Sequence, residues 1–185
     1  MLLPFLGGVK MGSENGTIHT ILNRRSIRAY KKEQISNDEL ETILLAGSAA
    51  PSGMNGQSAY AYVIQSEEFM NELVTSVERA TGIERNPFYG APTVVIVFAD
   101  SSKFSPVEDA SLAIENMMLA AYSLGIGSCW IYAVKQFFAT EEGKIFKKKL
   151  GVPDNQMIIG SVALGYADGK QPSVKAKEHK FYKKF

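Results

Sequence analysis

Between Asn23 and Arg28 the chain reads NRRSIR, which places three guanidinium groups and one hydroxyl within five residues. An arginine presents a planar fork of donors that matches a phosphate or carboxylate, and a serine hydroxyl can add a further bond. Arg24, Arg25, Ser26 and Arg28 therefore read as an anion site, with surface arginines paired to glutamates as the competing explanation. A second segment, APSGMNGQS, gathers Pro51, Ser52, Gly53, Asn55 and Gln57 into a turn-rich loop. Its backbone and amide groups suit a flat heterocycle that both donates and accepts hydrogen bonds. The third segment is LGIGSCW, where Gly127 and Ser128 let backbone amides approach a ligand with no side chain in the way. A helix end feeding a strand would have the same letters.

Other chemistries find little support. No G-x-G-x-x-G follows a strand and no G-x-x-x-x-G-K-[ST] occurs, so the common dinucleotide and phosphate loops are missing. His19 and His179 lie near opposite ends, far in sequence from Cys129, which makes a poor hydrolytic triad and a poor zinc set. Cys129 is the single cysteine, so no intrachain disulfide can form, and a reducing cytoplasm is the expected compartment. The net charge of +1, with 45% hydrophobic and 21% charged residues, describes an ordinary globular chain. It argues against nucleic acid as the main partner, and no run is long enough to span a membrane. Charge is nevertheless uneven: the last sixteen residues hold six lysines against one glutamate. Residues 1–16 are expected to be a flexible leader, with Met11 as an alternative start, and residues 17–185 a single domain.

The elements that must position these groups follow from periodicity and capping. A short helix is expected over Thr17–Asn23. Ser36 followed by Glu39 is a capping box opening the helix that carries Leu40, Ile43, Leu44 and Gly47 on one stripe. A strand from Ala59, a helix aligning Phe69, Leu73 and Val77, and a central strand in APTVVIVFAD come next. Ser105, Pro106 and Glu108 suggest a second capping box, opening a helix to Leu124 that is apolar almost all round. A 20 kDa monomer would expose part of that surface, so a subunit interface is expected there. GSCWIYAV reads as a short strand, TEEGKIFKKKLG as a surface helix and QMIIGSVALGYA as a buried strand. Helices interleaved with buried strands make the class α+β, or mixed α/β.

In this order, RRSIR, APSGMNGQ, GAPTVVIVF, EDASLAIENMMLAAYSLGIGSCWI and ALGYADGK resemble the FMN-dependent nitroreductase family from about Ile21 to His179. The resemblance implies a mostly antiparallel central sheet flanked by helices, in an intertwined homodimer that binds FMN. It assigns Arg24, Arg25, Ser26 and Arg28 to the flavin phosphate and the pyrimidine edge of the ring. Pro51, Ser52, Gly53, Asn55 and Gln57 would contact it from the partner subunit, Gly127 and Ser128 would lie beside the reactive ring nitrogen, and Lys175 and Lys177 would be a late basic pair on the phosphate. Ser58 and Ala59 stand where relatives carry proline and an aromatic, which alters the local wall. The implied activity is ping-pong electron transfer from NAD(P)H to a nitroaromatic, quinone or similar small-molecule acceptor. The flavin would carry the chemistry, so no catalytic side chain is assigned. Another flavin enzyme on the same scaffold, such as a dehalogenase or dehydrogenase, and a non-catalytic flavin-binding or redox-sensing module remain the alternatives.

Overall fold

The computed structural model describes residues 15–170, 172–173 and 183–184. Residues 1–14, Lys175 and Lys177 lie outside the described residues. Six α-helices are described, α1 (Gly16–Asn23), α2 (Asn37–Ser48), α3 (Glu67–Thr81), α4 (Pro106–Ser123), α5 (Val134–Phe138) and α6 (Glu141–Lys149). They surround strands β1 (Ala59–Ile64), β2 (Thr93–Asp100), β3 (Gly127–Ile131) and β4 (Gln156–Gly165). The strands form one sheet in the order β1-β2-β4-β3, every neighbouring pair antiparallel. The expected α+β class and antiparallel sheet are found.

The apolar run of β2 is explained by its place in the sheet interior, with helices on both faces. Val94, Ile96 and Phe98 point into a core shared with Leu73 and Val77 of α3, Phe137 of α5 and Phe146 of α6. Val95, Val97 and Ala99 point the other way, into a core shared with Ile43 of α2 and Ile114 and Met117 of α4. Each large side chain buried this way contributes about 1.5–3 kcal/mol of transfer free energy. The capping box of α2 is present: Ser36 Oγ accepts from Glu39 N, and Ser36 N donates to Glu39 Oε2 at 2.8 Å. Asn15 caps α1, accepting from the amides of Thr17 and Ile18, so the first helix begins at Gly16. Among the described residues no helix is long and apolar enough to cross a membrane.

Three expectations are corrected. Ser105 forms no capping box with Glu108, because its hydroxyl donates instead to the buried carboxylate of Asp109 at 2.7 Å. The surface of α4 is less bare than its sequence suggests: Ala113, Met117, Met118 and Ala121 are buried within the chain itself. The reason is α2, which packs so closely that a Cβ on Gly47 would stand 2.6 Å from Met117 Cγ. The apolar residues of this helix region that remain exposed are Val107, Leu112 and Leu124. Finally, the strand expected over GSCWIYAV ends at Ile131, and Val134 opens the short helix α5. Phe137 and Phe138 of α5 enter the core as a tilted aromatic pair with centroids 5.0 Å apart.

Candidate functional site

α1 ends at Arg24, whose amide donates to Thr20 O, and the chain then extends along the free edge of β3. There Ser26 and Ser128 form a parallel bridge, with Ile27 N donating to Ser128 O at 2.9 Å. The edge contact continues past the arginines: Asp168 N donates to Ala29 O and Lys31 N to Tyr166 O, both at 2.9 Å. Beneath the segment the buried Tyr30 hydroxyl donates to Ile27 O at 2.9 Å, and burial pushes that phenol's pKa well above its usual range. Two of the three predicted segments, NRRSIR and GIGS, are thus side by side on a backbone fixed by hydrogen bonds.

Gly127 fits closely here. A Cβ on it would lie 3.0 Å from Ile27 Cγ1 and 3.1 Å from Gly165 O, so any side chain would push the arginine segment outward by a few tenths of an ångström. The backbone of Ser128 is turned toward that segment, its carbonyl accepting from Ile27, while its side-chain Oγ is buried with no hydrogen-bond partner. Arg24 Nε is also buried without one. Glu115 Oε1 lies 3.4 Å from Arg24 Nε, close enough for a charge contact but without hydrogen-bond alignment. Buried polar groups are normally paired, and each left unpaired costs about 1–3 kcal/mol. A buried N–H of a guanidinium and a buried hydroxyl, on two segments bridged to each other, are donors of the kind an anion would use.

Of the other arginines, Arg25 is half-buried and Arg28 exposed. Arg25 folds back so that Nη1 donates to Arg24 O. Arg28 is exposed, with its guanidinium carbon 5.9 Å from the centroid of the Tyr89 ring, and Arg85 approaches the same ring at 5.6 Å. Tyr89 has a left-handed backbone, φ 58°, in a turn where Tyr89 N donates to Asn86 O and the next residue is Gly90. Tyr89 was invisible to motif reading, since a single tyrosine ahead of a strand carries no signal of what it will face. Cys129 lies behind the arginines, buried; burial pushes its thiol up, against the opposing pull of Arg28, Ser26 and Arg24.

The third segment is elsewhere. Ala59, directly after the Pro51–Gln57 loop, pairs with Ala99 at the end of β2, whereas Gly127 pairs with Gly165, beside the Leu164–Thr93 pair at the start of β2. Six strand residues at about 3.3 Å each put the loop roughly 20 Å from the Ser26–Ser128 bridge along the strand direction alone, with β2 and β4 lying between β1 and β3 as well. The loop is built around Asp109 in the first turn of α4. Asp109 Oδ1 accepts from Gly53 N at 2.8 Å and from Ser105 Oγ at 2.7 Å, and Oδ2 accepts from Ser58 Oγ at 2.8 Å. Burial raises the Asp109 carboxyl, but the three bonds outweigh it and hold the group below its ordinary value. Ser58, expected to alter a site wall, is buried and serves as an anchor of this loop instead. Ser52 Oγ accepts from Gln57 N, closing the loop on itself. Met54, Asn55 and Gln57 have φ of 53°, 54° and 48°, and all three are exposed.

Known proteins share this fold. A nitroreductase with bound FMN from Bacteroides fragilis NCTC 9343 superimposes with a TM-score of 0.81 at 35% identity, over 91% of this chain and 100% of that one. A second, from Desulfitobacterium hafniense DCB-2 and also FMN-bound, gives 0.80 at 29% identity, over 91% of this chain and 99% of that one. A protein of Archaeoglobus fulgidus, provisionally named NADH dehydrogenase/NAD(P)H nitroreductase, is 36% identical over 149 residues, which are 79% of this chain and 82% of the relative. Residues 21–166 match the sequence model of the Nitroreductase family, a span that begins just before the arginine segment and ends just after β4. With the same fold and most of its length matched, the chain belongs to the nitroreductase family.

Proposed function

We propose that this protein is an FMN-dependent oxidoreductase that takes electrons from NAD(P)H and delivers them by a ping-pong cycle to nitroaromatics, quinones or similar small acceptors. The observation that carries the reading is the bridging of NRRSIR to GIGS, where Arg24 Nε, within ion-pair distance of Glu115, and Ser128 Oγ are both buried without a hydrogen bond. The residues present fit the cofactor. Arg24 supplies a donor for its phosphate, with Arg25 and Ser26 beside it, and Gly127 and Ser128 lie against that segment on the side proposed for the ring. Arg28 adds an exposed positive charge that favours an anionic ring system. FMN, when bound, supplies the two-electron redox chemistry. Tyr89 orients Arg28, and the edge bridges at Ser26 and Tyr30 keep the arginine segment in place.

The proposed protein is a homodimer in the cytoplasm, residues 17–185 forming one domain, in which Ser52, Asn55 and Gln57 of one copy complete the flavin site of the other. The separation of the loop from the Ser26–Ser128 bridge supports this, as do the exposed Val107 and Leu112 on α4. Lys175 and Lys177 are proposed to join the phosphate contact from the tail. The deciding experiment is extraction and mass analysis of the bound flavin, followed by anaerobic titration with NADH and NADPH. Stoichiometric FMN bleached by either coenzyme is expected. Recovery of FAD, or FMN that neither coenzyme reduces, overturns the assignment.

A further inference from the structure

Asp109, near the start of α4, has no role in the site assigned so far. Its carboxylate is 4% exposed and forms no ion pair among the described residues, yet it accepts three hydrogen bonds from three different places. Two of those donors, Gly53 N and Ser58 Oγ, bracket the loop tip; the third, Ser105 Oγ, ties the group to the start of α4. Gly53 can reach the carboxylate only because it lacks a side chain, since a Cβ there would meet Ser105 Oγ at 2.0 Å. Between the two pinned ends, Met54, Asn55 and Gln57 are held in left-handed conformations, which asparagine tolerates but methionine and glutamine seldom adopt. Such strain persists only where surrounding structure over-determines it, and it concentrates at binding sites. The tip has little of its own chain to rest on: Met54 is 86% exposed. Two of the three bonds that satisfy the buried carboxylate thus come from the loop and one from the residue before α4.

The geometry points to Asp109 as a positioning residue that fixes the Gly53–Ser58 loop in the shape in which Asn55 meets the flavin bound to a second copy of the chain. This rests on the cross-subunit site proposed above. Asp109 touches no cofactor and acts through the loop alone.

A double-mutant cycle on FMN affinity, read by titrating apoprotein with FMN and following flavin fluorescence and absorption, tests both layers. Asn55→Ala is expected to weaken binding about ten-fold, the effect of losing a hydrogen bond in a desolvated site. Asp109→Asn keeps the shape but turns an amide group toward one or more of the three donors, and is expected to weaken binding by a similar factor. The double variant should bind no worse than the poorer single, because both changes remove the same contact. Losses that multiply, or an Asp109→Asn protein that loses thermal stability but binds FMN normally, would assign Asp109 to the stability of α4 alone and overturn the inference. An Asn55→Ala protein with unchanged affinity and flavin spectrum overturns the cross-subunit site, and this role with it. Should Asp109→Asn fail to fold, Ser58→Ala removes one of the three donors while leaving the charge, and is read in the same cycle.

Discussion

Arg24 and Arg28 belong to one short motif and yet meet different surroundings. Arg24 has a buried Nε and a carboxylate within charge contact, whereas Arg28 is exposed and rests against an aromatic ring. The two should therefore respond differently to substitution. Arg24→Ala should lose charge-assisted bonds worth about 1.5–3 kcal/mol, roughly ten- to hundred-fold in FMN dissociation constant. Arg24→Lys should recover only part of that, because an ammonium offers a point charge where the site presents room for a fork. Equilibrium dialysis against FMN reads both. Cys129 is the opposite case, a thiol beside the site with its ionisation suppressed by burial. Iodoacetamide at neutral pH should leave it unmodified in the native protein and label it on unfolding in urea, as mass spectrometry would show. Cys129→Ser should retain flavin. At this scale the sequence was informative about chemistry and silent about surroundings. NRRSIR suggested an anion site, but the contacts of Tyr89 and Asp109 join segments distant in sequence, and such contacts leave no local signature.

Elements whose signals are local were legible. The capping box at Ser36, the apolar run of β2 and the stripe of α3 each state their own structure, because a cap and a period need only a few consecutive residues. The start of α4 was misread for the converse reason. Ser105 and Glu108 have the right spacing for a box, but a buried carboxylate one residue further along competes for the hydroxyl and wins. α5 was missed because five residues are too few to show a helical period, and its first residue continues the apolar run of β3. The α4 network also sets an expectation for acid. The native Asp109 carboxyl lies below its unfolded value of about 3.9. Its stabilising contribution is thus fully present above that pH and is lost as the pH falls through the lower native value. Urea unfolding of wild type and Asp109→Asn should therefore differ most near neutrality, and the gap should narrow on going below about pH 4. A gap that is constant with pH would mean the carboxylate is not held ionised.

Over the whole molecule the decisive fact is the register of the sheet, which puts the arginine edge and the Pro51–Gln57 loop at opposite ends. Interface tests must take account of what α4 already covers. A charge at Ala121 would strike the core of the single chain, so it would report folding and not assembly. Leu112, 45% exposed, is the better position. Leu112→Glu should leave a folded chain while lowering the sedimentation coefficient at micromolar concentration, with flavin released in proportion to monomer.

That opposite-ends arrangement also has a genetic consequence. If each centre draws its arginines from one polypeptide and its loop from the other, damage to the two halves is recessive in trans. A chain disabled at Arg24 still carries a sound loop, and a chain disabled at Asn55 still carries sound arginines. Co-expressed in equal amounts and pairing at random, they should yield about half mixed pairs, each with one intact centre and one doubly broken one, so that about a quarter of all centres recover. Two dead alleles would make a living enzyme, and two alleles broken in the same half would not.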